Sequence, residues 1–291
     1  MLKILLCFDV KMLKCFNVKM RVLFFGDIVG QPGREALKIA LPDFKRELKP
    51  DLIVANGENM VHGNGLAPEQ VKEVLAAGVD WLTLGDHTFD LKSGEEVLAD
   101  KTQPVLRPLN WPGNVPGRGY EIISLGVRRL LLVNLIGRVF MRHDFDDPFQ
   151  KIKELLEDYS LKGKEQGTKP ADAIIVDFHA EATSEKEALG WFLDGQVSAV
   201  IGTHTHVATA DEKILLQGTA YITDIGMVGP RDSVLGRNKD IVIKRMLNQR
   251  KLKMDIASEG PVEICGVLLT IDDKTGLAQN IVRVKKEVVL S

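Results

Sequence analysis

Aspartate, glutamate, asparagine and histidine gather at five points of this chain, each directly after a short apolar run: Gly26-Asp27, Asn56-Gly57-Glu58-Asn59, Gly85-Asp86-His87, His179, and Gly202-Thr203-His204-Thr205-His206. Taken singly, each has a structural reading. A Gly-Asp after a strand commonly turns the chain or caps a helix, and a lone histidine such as His179 commonly satisfies hydrogen bonds in a core. His204 and His206 are a stronger signal, because alternate residues of an extended segment project to the same side and can chelate one site. Five such events in succession, holding four of the six histidines, point to one shared site. His62 and His143 fall on polar loops and read as solvent-exposed, with His62 close enough to Glu58 to line a pocket.

The donor types narrow the chemistry. Carboxylate, amide oxygen and imidazole without thiolate suit borderline first-row ions such as Mn, Fe, Co or Zn rather than a structural zinc clamp. Six or seven such donors are too many for one tetrahedral ion, so two ions sharing a bridging carboxylate is the natural count. At the usual separation of about 3.5–4 Å, such a pair can hold a bridging hydroxide and two oxygens of a phosphate. Phosphoester hydrolysis is the reaction that fits.

The elements that must position these residues follow from the hydrophobic pattern. From Arg21 onward, apolar runs of strand length alternate with segments of helical period, the pattern of βαβ units and a mostly parallel sheet. Strands are predicted at Val22–Phe25, Leu52–Ala55, Trp81–Leu84, Ile174–Phe178 and Val197–Ile201, and helices at Gly33–Leu48, Pro68–Ala77, Ser184–Leu193 and Arg237–Asn248. Each of the five runs delivers its polar residues at its C-terminal end, the edge where open α/β sheets build binding sites. Tyr120–Leu135 reads as a hairpin turning at Gly126-Val127, and Leu106–Gly119 as an irregular loop. The tail, Leu252–Asp255, Val262–Ile271 and Asn280–Val289, reads as antiparallel.

Bulk properties set the frame. At 291 residues, 45% hydrophobic and 27% charged, the chain is ordinary for a globular protein with a sizeable core. A formal charge of −2 gives no general electrostatic attraction to nucleic acid or anionic membrane, so phosphate recognition must come from a local site. Cys7, Cys15 and Cys265 form no disulfide framework, which makes a reducing cytoplasm the simplest compartment. No apolar run approaches the roughly 20 residues needed to span a bilayer. CFDVKM at residues 7–12 nearly repeats as CFNVKM at 15–20. Residues 1–19 are therefore read as an extension outside the fold, and residues 20–291 as one domain.

The ordered series GDIVGQPGR, NGEN, GDHTFD, DFHAEATSEK and GTHTHVATAD, together with TAYITDIGMVGP (Thr219–Pro230), resembles the calcineurin-like metallophosphoesterase superfamily and, within it, the YmdB-like branch of bacterial cyclic-nucleotide phosphodiesterases. The resemblance covers nearly all of residues 20–290. It implies an α/β fold, a four-layer α-β-β-α sandwich of two mixed sheets flanked by helices. It also implies that Asp27 and His206 bind one ion with Asn59 beside it, that Glu58 bridges, and that Asp86, His179 and His204 hold the second. His87 would then be the general acid that protonates the leaving alkoxide. The implied ions are Fe and/or Mn, with Zn, Co or Mg as alternatives, and the implied substrate is a small phosphoester, a 2′,3′-cyclic nucleotide.

Two positions depart from the wider superfamily. Its first motif, Asp-x-His, is here Asp27-Ile28-Val29, so that histidine is missing and Asn59 substitutes, as in the YmdB-like branch. The family's Asn-His pair is here Asp86-His87. Asp27, Glu58 and Asp86 thus set three carboxylates against two ions, one more than the family pattern. The extra charge should bind cations more tightly and weaken their pull on a substrate phosphate. Other functions fit the same residues: a phosphomonoesterase or nuclease, or a regulatory protein that binds nucleotide or RNA without turnover. His87 and the full ligand set argue against the last. A weaker resemblance to capsule-synthesis proteins runs through GD, NxEN and GTHxH, but those proteins usually carry a membrane anchor. Partners expected are the small-molecule substrate, with RNA and a homo-oligomer left open, and no membrane.

Overall fold

Apolar runs rich in Val, Ile, Leu and Phe, cut by Gly, Pro and Asp turns, dictate the order of elements. The computed structural model describes residues 19–161 and 169–290. Its first half runs β1 (Lys19–Ile28), α1 (Gly30–Leu48), β2 (Leu52–Asn56), α2 (Pro68–Ala77), β3 (Trp81–Thr83), α3 (Lys92–Ala99) and β4 (Val105–Leu106). The hairpin β5 (Tyr120–Leu125) and β6 (Arg128–Ile136) leads to α4 (Pro148–Asp158) and the short pair β7 (Tyr159–Ser160) and β8 (Lys169–Pro170). There follow β9 (Ala173–His179), α5 (Thr183–Phe192), β10 (Ala199–Thr203), β11 (Lys213–Ile214), β12 (Ala220–Ile222) and β13 (Met227–Pro230). Then come α6 (Lys239–Asn248), β14 (Val262–Asp272) and β15 (Ala278–Val288).

The strands make two mixed sheets. One has seven strands in the order β15-β14-β13-β1-β2-β3-β4, the other six in the order β11-β12-β10-β9-β6-β5. In the first sheet β1, β2, β3 and β4 are parallel, whereas β14 runs antiparallel to β1 and β15. In the second, β6, β9, β10 and β12 are parallel, with β5 and β11 antiparallel at the edges. Residues alternate between two cores because successive strand side chains point to opposite faces. Val22, Phe24, Leu52 and Val54 meet Leu130, Ile175, Ala199 and Ile222 between the sheets. Leu23, Phe25 and Ile53 instead pack outward on Leu37, Leu41, Val71 and Val97 of α1 to α3. Leu131, Val133 and Val176 pack on Ile152 of α4 and Leu189 of α5. The layers are therefore α-β-β-α, as the resemblance implies.

The structure corrects the sequence reading in several places. Lys19 already belongs to β1, paired with Asp272, so the strand begins one residue inside the segment read as an extension. The reading of residues 1–18 lies outside the described residues. Leu252–Asp255 is not a strand; only Ile256 makes an isolated bridge, to Arg237. Helices α3 and α4 were not foreseen, although Asp147-Pro148 is a clear start signal: the Asp147 carboxylate accepts from the N–H groups of Phe149 and Gln150.

Candidate metal centre

Parallel strands of both sheets bring their C-terminal ends to one edge, and all five polar points sit there. Asp27 is in register with Asn56 of β2, and His179 with Thr203 of β10 and Ile136 of β6. Close approach is possible because glycines stand where a side chain would collide. A Cβ on Gly85 would lie 2.2 Å from Glu58 Oε2 and His179 Nε2, and one on Gly26 would lie 1.9 Å from the carbonyl of Gly226, the residue before β13.

At the centre, one ligand atom each from Glu58, Asp86, His179 and His204 lie within 4.8 Å of one another. His179 Nε2 is 3.1 Å from Glu58 Oε1, 3.4 Å from Asp86 Oδ1 and 2.9 Å from His204 Nδ1. The far side of each ring fixes its tautomer. Thr203 Oγ1 donates to Asp177 Oδ1 at 2.8 Å, so it accepts from His179 Nδ1–H at 2.9 Å and leaves the Nε2 lone pair facing the cluster. His204 Nε2 reaches Glu181 Oε2 at 3.1 Å, which turns its Nδ1 inward. Two inward lone pairs beside two carboxylates call for positive charge between them, a proton or a metal ion.

A second group adjoins the first. Asp27 Oδ1 is 3.8 Å from His206 Nε2 and 3.9 Å from His179 Nδ1, while Asp27 Oδ2 accepts from the His204 N–H. Asn59 Nδ2 donates to Glu58 Oε1 at 3.0 Å and lies 3.3 Å from His206 Nε2; half a turn of the carboxamide presents Oδ1 to the same point. Glu58 thus touches both groups. Asp27 Oδ1 and Asp86 Oδ1 are buried without a hydrogen-bond partner. Since an unpaired buried carboxylate oxygen is costly, these two fit ligands of a cation. The donor set fits a divalent ion as well: oxygen and imidazole nitrogen, with no thiolate.

The electrostatics agree. Burial pushes the Asp27 carboxyl up to about 6, against the pull of His206 and His179. Burial opposes ionisation of Glu58 and Asp86 too, but His179 overcomes it and holds both below the usual carboxylate range. Burial lowers His179, yet Glu58 and Asp86 raise it well above the ordinary imidazole value. Burial and the neighbouring His179 hold His204 down.

His87 stands apart from the ligand atoms. Its backbone N–H donates to Glu58 Oε2 at 3.2 Å, and its Nδ1 is 2.8 Å from Asp90 Oδ2, which Arg142 contacts at 3.0 Å. The ring lines a cavity of about 760 Å³ shared with Glu58, Asn59, His204 and His206. His62 and His143 are exposed and outside the cluster, as read from the sequence; His62 gives its carbonyl to Arg237, and His143 packs on Trp111 and Phe145.

The sequence reading missed the supports. His204 (φ 99°) and His206 (φ 63°) have left-handed backbone, a strain of about 1–3 kcal/mol each that the surroundings must impose. Asp224, fully buried, accepts from Thr205 N–H at 3.0 Å, Thr205 Oγ1–H at 2.8 Å and Gly226 N–H at 2.8 Å. Buried Lys186 donates to Asp224 Oδ2 and to the Thr203 carbonyl, both at 2.8 Å. Lys186 and Asp224 lie within the matched segments DFHAEATSEK and TAYITDIGMVGP, the one signal that could have found them.

Comparison with known proteins agrees over the whole described fold. The chain is 43% identical over 265 residues to a 2′,3′-cyclic-nucleotide 2′-phosphodiesterase of Bacillus subtilis (strain 168), covering 91% of this chain and 96% of that protein. A crystal structure described as a novel phosphatase of Mycoplasma pneumoniae superposes with a TM-score of 0.84 at 33% identity, over 93% of this chain and 94% of that one. The calcineurin-like phosphoesterase YfkN from Bacillus subtilis, 12% identical with a TM-score of 0.55 over 92% of this chain and 90% of that one, shares the fold. With residues 23–284 matching the family model described as YmdB-like protein, the chain belongs to the YmdB-like family.

Proposed function

We propose that this protein is a metal-dependent phosphodiesterase that hydrolyses 2′,3′-cyclic nucleotides. The observation that carries the reading is the cluster of Glu58, Asp86, His179 and His204 beside the unpartnered, buried Oδ1 atoms of Asp27 and Asp86. The substrate class rests on the Bacillus subtilis relative. In this reading Asp27, Asn59 and His206 would hold one ion, Asp86, His179 and His204 would hold the other, and Glu58 would serve both. Fe and/or Mn are the ions proposed, on the imidazole and carboxylate donors. Bound ions supply Lewis-acid polarisation of the phosphate and a water ionised at neutral pH.

The chain's own residues do the rest. Glu58, spanning both groups, fixes where the phosphate sits. His87 carries the proton for the leaving group: Asp90 accepts from Nδ1–H, which orients the ring, and Nε2 gives its proton to the ribose oxygen as the P–O bond breaks. Thr203 and Asp177 hold the His179 tautomer, and Lys186 with Asp224 holds the strained 203–206 loop.

The test is an assay of purified protein, its metal content measured in parallel, against a 2′,3′-cyclic nucleotide, a phosphomonoester and bis-p-nitrophenyl phosphate. Turnover of both diesters, abolished by chelation and restored by Mn, is expected. Preference for the monoester, or turnover that survives chelation, would sink the reading.

A further inference from the structure

The wall of the cavity opposite the ligand cluster is basic. It is built by the end of α6 and the segment after it: Arg245, Arg250 and Lys251, with Leu235, Met246 and Met254 as apolar lining. Arg237 belongs to the scaffold, because its guanidinium donates to the carbonyls of His62, Gly63 and Met254. The other three differ. Arg245 reaches only the Met254 sulfur, at 3.1 Å, and neither it nor Arg250 nor Lys251 has a carboxylate partner among the described residues. Many surface arginines elsewhere are paired: Arg46 with Asp43, Arg118 with Glu121, Arg128 with Asp51, Arg231 with Glu287, Arg283 with Glu212.

Three unpaired cations in the cavity that holds the ligand cluster exceed what a cyclic mononucleotide needs. Its single negative charge is the cyclic phosphate, which belongs at the cluster. We infer that the site takes nucleosides with a 2′,3′-cyclic phosphate and a second phosphate on the 5′ side, chiefly the 3′-terminal nucleotide of an RNA fragment. The cyclic phosphate lies at the ligand cluster, the base against Leu235 and Met246, and the 5′ phosphate at Arg245, Arg250 and Lys251. The inference deepens the phosphodiesterase reading and rests on it. In the reaction a water oxygen bonds to phosphorus, the bond from phosphorus to the 2′ oxygen breaks, that oxygen takes a proton, and a terminal 3′-phosphate remains. Both the shortened ends left by ribonucleases that cleave through 2′-oxygen attack and free 5′-phosphorylated nucleosides carry this chemistry.

The experiment compares kcat/KM for 2′,3′-cyclic AMP, the same nucleotide with a 5′-phosphate, and a dinucleotide ending in the cyclic phosphate. A charge-assisted contact supports a gain of about tenfold or more for a 5′-phosphate. Gain with both ligands identifies the phosphate itself as the determinant; gain with the dinucleotide alone identifies an RNA end. The advantage should shrink as salt is raised, as for any contact that releases counterions. In the triple variant R245A/R250A/K251A the ratio between substrates with and without the 5′ group should collapse to near one. Affinity for the product dinucleotide with a terminal 3′-phosphate, measured by calorimetry, should fall about tenfold in parallel. All three positions are solvent-accessible, and melting temperature checks that the variant folds. Equal kcat/KM for the three substrates in the unmodified protein, or an advantage that survives the triple variant, overturns the inference while leaving the phosphodiesterase reading intact. Failure to hydrolyse any of the three overturns both.

Discussion

Across one cavity, the strand-end loops bury their polar side chains and the α6 segment leaves its own in water. Asp27, His179 and Asp224 are 0% exposed and tied by hydrogen bonds, whereas Met246 on α6 is 68% exposed. The loops are braced from behind, by Asp177 and Thr203 of the six-stranded sheet behind His179 and by Lys186 of α5 behind the 203–206 turn. On α6 only Val242 is buried. The difference teaches which wall is built for chemistry and which for recognition. Ligands must be held within a fraction of an ångström against mutual repulsion, and that demands burial and a second layer of contacts. A wall that gathers a flexible phosphate and a base can work with solvated cations and exposed thioethers.

The comparison predicts that effects fall in size from the first wall to the second. Glu58→Ala should be the most damaging change, since a carboxylate touching both ligand groups is lost and two cations would then repel at close range. Bound metal should drop below two ions per chain, with activity lost. Retention of two ions and near-normal turnover would remove Glu58 from the bridging place. His87→Ala should keep the metals and still lower turnover of a cyclic nucleotide by about 10²–10⁴-fold. Bis-p-nitrophenyl phosphate, whose leaving group needs little protonation, should lose much less. Equal losses on the two substrates would make His87 a phosphate-holding residue.

Thr203→Val keeps the shape of a buried side chain and removes the hydroxyl that accepts from His179 Nδ1–H. Loss of such a support typically costs about 10–100-fold in metal affinity. Competition with a chelator measures it, and an unchanged affinity would mean that His179 needs no help to present Nε2. A pH effect of similar size follows from Asp27. Its carboxyl, pushed up to about 6 by burial, holds a proton below that pH, and an ion that uses it must displace the proton. Metal affinity, which already falls with pH as His179 takes up a proton, should therefore fall more steeply below about pH 6, by up to about a further tenfold per unit. A slope that does not steepen between pH 6 and pH 5 would show that Asp27 is not a ligand.

What was legible in the sequence divides along the same line. Helix α2 matches the reading at both ends because its signals are local: Pro68 opens it, and Gly78 closes it at φ 115°. The clustering of the candidate ligands was legible because each follows its own strand, so a local pattern repeated five times gives the cluster away. Their supports were not. Asn56 with Asp177, Lys186 with Asp224, and Asp90 with Arg142 are pairs 38 to 121 residues apart, and only the packing of the sheets brings them together. The basic wall was also hidden, since RMLNQRKLKM reads as a solvated helix end until the cavity shows what it faces. The strand expected at Leu252–Asp255 failed for a related reason. Met254 lines the cavity from a loop, and neither it nor Leu252 pairs in a sheet.

The smallest expected effect sharpens the comparison most, because it tests whether the α6 wall only binds. Met246→Ala removes a thioether that lines the cavity opposite the ligand cluster and is too exposed to support the core. A sulfur–aromatic contact with a nucleobase is worth about 0.3–1.5 kcal/mol, so KM for a cyclic nucleotide should rise by roughly two- to tenfold. Because the thioether is neither a metal donor of this site nor a proton carrier, kcat should stay where it was. Stability should move by less than about 0.5 kcal/mol, as for other surface substitutions. A fall in kcat with KM unchanged would mean that α6 closes over the reacting phosphate and excludes water from it. The two walls would then act as one catalytic unit, and the division drawn here between a rigid chemical wall and a tolerant recognition wall would fail.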